Sequence, residues 1–309
     1  MGGVTRRSAV LGLAGIMGGV AQAAPPAVGT LAVYPQFASS FVAPRTVWVW
    51  SPPQAGQRRR LPVIYMHDGQ NLFDADLAAF GEWGVDEALT ALSATTGTQG
   101  AIVVGIANTS LRRQEYLPET YLAQIAPPLR SRIEDAMGGP ALSEAYLAFL
   151  TEELKPFIEA NHPVQRRRQG VFSMGSSMGG LISLEAVIRR PDVFGGAGCL
   201  STHWPLRLSP FESAEELVSW QEGLLPAIAH YVGLAPPPGR ARLWFDHGDQ
   251  NLDRWYRPYQ IAADAAFLAR GYALGDDFQS RFYPGTDHNE TSWRARLEDP
   301  LRFLLGVEA

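Results

Sequence analysis

Cysteine and lysine are nearly missing from this chain. Cys199 is the single cysteine in 309 residues. That excludes a disulfide within the chain and any metal site built from a cysteine cluster. Lys155 is the only lysine, so arginine carries the rest of the positive charge. With the abundant alanine, glycine and proline, this reads as coding bias rather than function. The formal net charge is −5, which leaves no basic excess to mark a nucleic-acid binder. The longest apolar run, Ala9 to Val20, is too short for a comfortable transmembrane helix, which needs about 20 residues. There is no His-Glu-x-x-His pair and no phosphate-cradling glycine loop, so no metal or organic cofactor is indicated. What remains is 46% hydrophobic and 18% charged. That balance suits one large folded domain with its own core, not a disordered chain.

The N-terminus reads as an export signal. Arg6-Arg7 precedes the apolar run, and Ala21-Gln22-Ala23 is a small-residue cleavage pattern. Thr5-Arg6-Arg7-Ser8 also resembles a twin-arginine signal, a route that carries folded proteins. The expectation is a signal over residues 1–23, a mature chain in the periplasm or outside the cell, and no stable membrane insertion after cleavage. Residues 24–309 then form one domain. The oligomeric state is left open.

Along the mature chain, apolar strand-like runs alternate with amphipathic helical stretches. Thr30 to Tyr34 and Thr46 to Trp50 read as opening, antiparallel strands. Leu61 to Met66, Ala101 to Ile106, Val171 to Gly175, Phe194 to Leu200, Ala241 to Phe245 and Phe278 to Tyr283 follow as strands. Between them Trp83 to Leu92, Glu144 to Ala160, Leu181 to Arg190, Glu212 to Tyr231 and Tyr259 to Arg270 read as helices. Trp293 to Leu305 closes the chain as another. Uninterrupted apolar strands belong to a sheet covered on both faces. The pattern predicts an α/β architecture, a doubly wound and mostly parallel sheet with helices on both faces. Stretches 108–140 and 202–240 read as insertions above the site. Polar clusters stand at the carboxyl ends of the strands, where such sheets hold their ligands.

One of these clusters carries chemistry. Gly175-Ser176-Ser177-Met178-Gly179 joins a strand to a helix, which is the G-x-S-x-G nucleophile elbow in its proper context. The turn is so tight that side chains two residues either side of the serine are expected to strike backbone, and glycine avoids this. Only Ser177 lies between the two glycines at the right spacing, so Ser176 is a tolerant neighbour. A serine needs a base, and the base needs an orienting acid. The α/β-hydrolase order of Ser, then Asp or Glu, then His is present. Among six histidines, His288 follows the last strand in a Gly-Thr-Asp turn. Asp249 and Asp253 both follow the preceding strand, and either can serve as the acid. The oxyanion hole needs two backbone N–H donors, one from Met178 and one from Gly69 or Gln70 in the early loop. Trp83, Tyr116, Trp204 and Trp255 are candidate pocket walls. His203 stands beside them, and Asn108, Arg112 and Arg113 could meet a polar or anionic group. His67 reads as structural or as part of the pocket, and Cys199 as a small core residue.

These blocks resemble a known family, the esterase branch of the α/β-hydrolases. It includes enterochelin, feruloyl and acetylxylan esterases, S-formylglutathione hydrolases and mycolyltransferases. The likeness is carried by Tyr65-Met66-His67-Asp68-Gly69-Gln70-Asn71-Leu72-Phe73, by Trp83-Gly84-Val85-Asp86-Glu87 and by the elbow with Pro191-Asp192-Val193-Phe194. Ser201-Thr202-His203-Trp204, Leu252-Asp253 and His288-Asn289-Glu290-Thr291-Ser292-Trp293 complete it. The resemblance implies a serine esterase with Ser177 as nucleophile and His288 as base, and it favours Asp253 as the acid. Related chains tend to carry Gly-Thr-Glu-x-Leu-Asp where this one reads Gly248-Asp249-Gln250-Asn251-Leu252-Asp253.

The expected function is a carboxylic ester hydrolase acting on a small-molecule ester through an acyl-enzyme. An acyltransferase to a sugar or lipid alcohol would use the same residues. A catalytically dead binding protein on the same fold is the third reading.

Overall fold

The computed structural model describes residues 28–53, 55, 59–78 and 81–307, and the export signal read at 1–23 lies outside them. Eight strands form one sheet: β1 (Thr30–Phe37), β2 (Arg45–Ser51), β3 (Val63–His67), β4 (Ile102–Ile106), β5 (Val171–Ser176), β6 (Gly196–Leu200), β7 (Arg242–His247) and β8 (Phe278–Phe282). Their spatial order is β1-β2-β4-β3-β5-β6-β7-β8. β1 and β2 pair antiparallel, as does β2 with β4. Every pair from β4 across to β8 is parallel. The expected mostly parallel sheet with two antiparallel opening strands is therefore what forms.

Side-chain alternation sorts the core into two layers. In β3, Val63 and Tyr65 enter one cluster, while Ile64 and Met66 enter the other. The helices Met178–Arg189, Ala214–Val232 and Arg257–Ala269 cover the first face. Val85–Thr96 and Glu298–Leu305 cover the second. Strands β3 to β6 are buried at every position, which is why Ala101 to Ile106 reads as an unbroken apolar run.

Some boundaries differ from expectation. Stretch 108–140 is not one element but folds into the helices Arg112–Glu115, Glu119–Leu122 and Pro127–Met137. The helix expected from Glu144 runs through 143–161, with its middle, Phe149–Leu154, wound as a π-helix. The order in which strands are added reverses between β3 and β5, while the strands themselves stay parallel. β4 lies on one side of β3, and β5 to β8 lie on the other. The loops after β3 and β5 thus leave the sheet side by side, at the switch point where such sheets form a crevice.

Candidate active site

Ser177 sits between β5 and its helix with φ 58° and ψ −123°. A side-chain-bearing residue adopts these angles only under strain. The surroundings impose them. Ser177 N–H donates to the Leu200 carbonyl at 2.8 Å, and its own carbonyl accepts from His203 N–H at 3.1 Å and Gly180 N–H at 3.0 Å. A Cβ on Gly175 would stand 3.0 Å from the Gly179 backbone. A Cβ on Gly179 would meet His67 Cβ at an ordinary 3.5 Å. Clash relief was expected at both glycines, but it rests on Gly175. Gly179 contributes the bare backbone that Gly175 approaches.

The chain beyond β7 turns through a 3-10 helix, Asn251–Trp255, which carries Asp253 beneath the loop after β8. There Asp253 Oδ1 lies 2.6 Å from His288 Nδ1. Oδ2 accepts the Gly248 N–H and the Ser201 hydroxyl, each at 2.7 Å. Burial pushes the Asp253 carboxyl up, but the bond and charge of His288 and the other two donors outweigh it and hold it below the usual carboxylate range. Asp249 is placed elsewhere. Its Oδ1 accepts from Gly285 N–H and the Gln250 amide. The geometry brings Asp253 to His288, and not Asp249.

Ser177 and His288 line one cavity of about 630 Å³, together with Asp68, Gln70, Asn108 and Arg112. Asp68 has left-handed backbone, φ 57°, and its side chain clamps Arg112 with two bonds of 2.7 Å and Asn108 Nδ2 with one of 2.6 Å. Burial raises the Asp68 pKa, and the Arg112 charge with these three bonds brings it below its ordinary value. A Cβ on Gly69 would come within 2.4 Å of the Gly105 and Ile106 backbone, so only glycine lets this loop press onto β4. Gly69 and Gln70 open a 3-10 turn, and Met178 opens the elbow helix. First-turn amides find no acceptor within their own helix, so both segments carry N–H groups suited to an incoming oxyanion.

Of the expected pocket residues, Asn108 and Arg112 line the cavity, while Tyr116, His203 and Trp204 do not. Each of those three is fully buried. The Tyr116 hydroxyl accepts the Asp68 N–H at 3.3 Å. Trp204 stacks on Phe245 and donates Nε1 to Gln260 at 2.8 Å. His203 Nδ1 lies 2.5 Å from the Tyr256 hydroxyl, and burial lowers its pKa to about 3. The segment after β6 turns inward at Ser201, φ 40°, and carries His203 and Trp204 into the core. Trp83 packs on Trp293, Trp255 on Phe211, and Arg113 lies outside the cavity lining. His67 is structural, with Nδ1 at 2.9 Å from the Tyr146 hydroxyl and Nε2 at 3.0 Å from Ser173 Oγ. Ser201, Tyr256, Trp293 and Arg296 were not singled out for the chemistry, although Ser201 and Trp293 stand within the family blocks. Among the described residues, three carboxylates, Glu82, Asp86 and Glu87, gather within 4.8 Å outside the cavity lining, and Arg294 pairs with two of them.

A mostly parallel eight-stranded sheet with a strained serine at its switch point defines the class: the fold is that of the α/β-hydrolases. Residues 38–304 match the family described as "Putative esterase", and the chain belongs to that esterase family. Ferri-bacillibactin esterase BesA of Bacillus subtilis (strain 168) is 30% identical over 161 residues, which span 50% of each chain. The match thus covers about half the length of that relative. A solved ferulic acid esterase superposes with a TM-score of 0.61 at 19% identity, covering 91% of this chain and 99% of that one. The enterobactin esterase FES of Shigella flexneri, solved with enterobactin, gives 0.61 at 19%, covering 92% and 60%. At these identities the two structures share the fold.

Proposed function

We propose that the chain is a serine carboxylic ester hydrolase that acts on a small-molecule ester through an acyl-enzyme. The observation that carries this reading is the Asp253–His288 contact at 2.6 Å, on the wall of the cavity that Ser177 also lines. A carboxylate that accepts Nδ1–H keeps the imidazole in the tautomer with Nε2 free as base. Ser177 attacks the ester carbonyl as His288 takes its proton. Met178 N–H and the N–H of Gly69 or Gln70 stabilise the oxyanion, each donor contributing ~3 kcal/mol. His288 returns the proton to the leaving alcohol. Water, activated by the same imidazole, then releases the acid and frees Ser177. The Arg6-Arg7 pair and Ala21-Gln22-Ala23 support export, so the mature enzyme acts in the periplasm or outside the cell.

The test is labelling with a fluorophosphonate probe. Ser177→Ala is expected to abolish labelling and to lower kcat on an activated short-chain ester by about 10⁶-fold, whereas Ser176→Ala keeps both. Labelling that survives Ser177→Ala removes the proposal. Adding alcohol acceptors and analysing the products separates hydrolysis from acyl transfer.

A further inference from the structure

Ser201 follows β6 with φ 40°, a left-handed conformation in which glycine would sit without strain. A serine held there calls for a reason. Its hydroxyl has three partners, all of them buried: Asp253 Oδ2 at 2.7 Å, Trp293 Nε1 at 3.0 Å and Arg296 Nη2 at 2.9 Å. Indole and guanidinium nitrogens only donate, so the Ser201 oxygen accepts from both. A hydroxyl has two lone pairs and one proton. With the lone pairs taken, the proton has one place to go, Asp253 Oδ2. The arrangement is fixed from behind as well. Asp246 Oδ1 accepts Arg296 Nη2 at 2.8 Å and the Ser201 N–H at 3.1 Å.

We propose that Ser201 is a positioning residue of the esterase reaction, which with Trp293 and Arg296 behind it locks the outer oxygen of Asp253 and leaves the inner one facing His288. Gly248 N–H and Ser201 O–H together hold Oδ2, so the carboxylate cannot rotate about its own axis. Oδ1 then stays on His288 Nδ1, and the base keeps one tautomer through the catalytic cycle. The assignment rests on the Ser177–His288–Asp253 reading above.

The test uses Ser201→Ala and Ser201→Gly in the full chain, with p-nitrophenyl acetate as substrate. Glycine removes the hydroxyl while relieving the backbone, so that variant folds even if the alanine variant does not. Both are expected to lose about 10- to 100-fold in kcat, the range for a lost hydrogen bond to a charged group, with KM unchanged. The acid limb of the kcat profile moves to higher pH, because the carboxylate has lost a donor to its charged form. Both variants still label, slowly, with the fluorophosphonate probe. A folded Ser201→Gly enzyme with wild-type kcat and an unmoved acid limb overturns the assignment, whatever has happened to its melting temperature. If Ser177→Ala retains labelling, the triad reading itself has failed. If Ser177→Ala is unreactive and Ser201→Gly behaves as wild type, only the Ser201 assignment has.

Discussion

Two histidine–aspartate neighbourhoods flank the cavity, and they are built on opposite principles. His67 and Asp68 are adjacent in sequence but do not pair. His67 gives both ring nitrogens to neutral hydroxyls, and burial lowers its pKa to about 3. Asp68 takes a permanent cation, Arg112, on both oxygens. That side holds its protons fixed across neutral pH. His288 and Asp253 stand 35 residues apart and do pair, at 2.6 Å. The remaining Asp253 oxygen is met by two neutral donors, the Ser201 hydroxyl and the Gly248 N–H. Asp68 lies one residue past β3 in left-handed backbone, and it bonds Arg112 rather than His67. Partnership came instead from two loops leaving neighbouring strands, β7 and β8, at the same end.

The sharpest way to break this contrast is Asp253→Asn. An amide leaves the imidazole free to take the wrong tautomer, and kcat is expected to fall by about 10⁴-fold. Asp249→Asn, measured in the same assay, keeps kcat. Equal losses in both variants would erase the distinction between the two aspartates.

Next in size is a pH effect on stability from two buried histidines, His67 on the inert side and His203, which bonds Tyr256 beside His288. His67 and His203 each have a folded pKa of about 3, against about 6.5 unfolded. The unfolded chain therefore binds protons that the native chain refuses. Their contribution is complete above about pH 6.5 and is lost as pH falls toward 3. Together they give a slope of up to ~2.7 kcal/mol per pH unit in urea unfolding, about 1.4 for each histidine. His67→Gln should halve that share, and an unchanged slope would show that His67 does not resist protonation.

Asp68→Asn is expected to be the smallest. It strands Arg112 in a partly buried site. Breaking a fully buried pair costs about 3–5 kcal/mol, and with the Arg112 side chain 27% exposed we expect about 2 kcal/mol in the unfolding free energy. Because the folded Asp68 pKa is depressed, the pair's contribution is present above the ordinary carboxylate pKa and lost as pH falls through the lower folded value. The variant should lack that acid-side loss. A wild-type dependence in Asp68→Asn would mean the Arg112 clamp carries no net stability.

Much of the fold was legible because burial on both sheet faces writes itself into sequence as apolar runs. The elbow was legible because a strained serine beside a helix start needs Gly175, and few residues can replace it. The order of Ser177, the two aspartates and His288 was legible because each follows a strand. Spacing alone left Asp249 beside Asp253, and the family likeness favoured Asp253; the contact itself depends on a 3-10 turn that carries Asp253 to His288, while Asp249, ahead of that turn, bonds Gly285. The pocket walls were misread for a related reason. Tyr116 and Trp204 follow strands, as pocket residues do, but the inward turn at Ser201 and the packing of stretch 108–140 bury them. Arg296 gave no signal at all. An arginine in a C-terminal amphipathic helix looks solvent-facing until the Asp246 carboxylate is found beneath it.

The sequence by itself determined the strand succession, the family and the position of the elbow, because these follow from periodicity and from residues with few substitutes. Only the tertiary structure decided which aspartate meets His288, which aromatics reach the cavity and where the Ser201 proton points. Those are questions of angle and distance between loops far apart in the chain. A hydrogen bond is gained or lost over less than an ångström, a scale on which residue spacing says nothing.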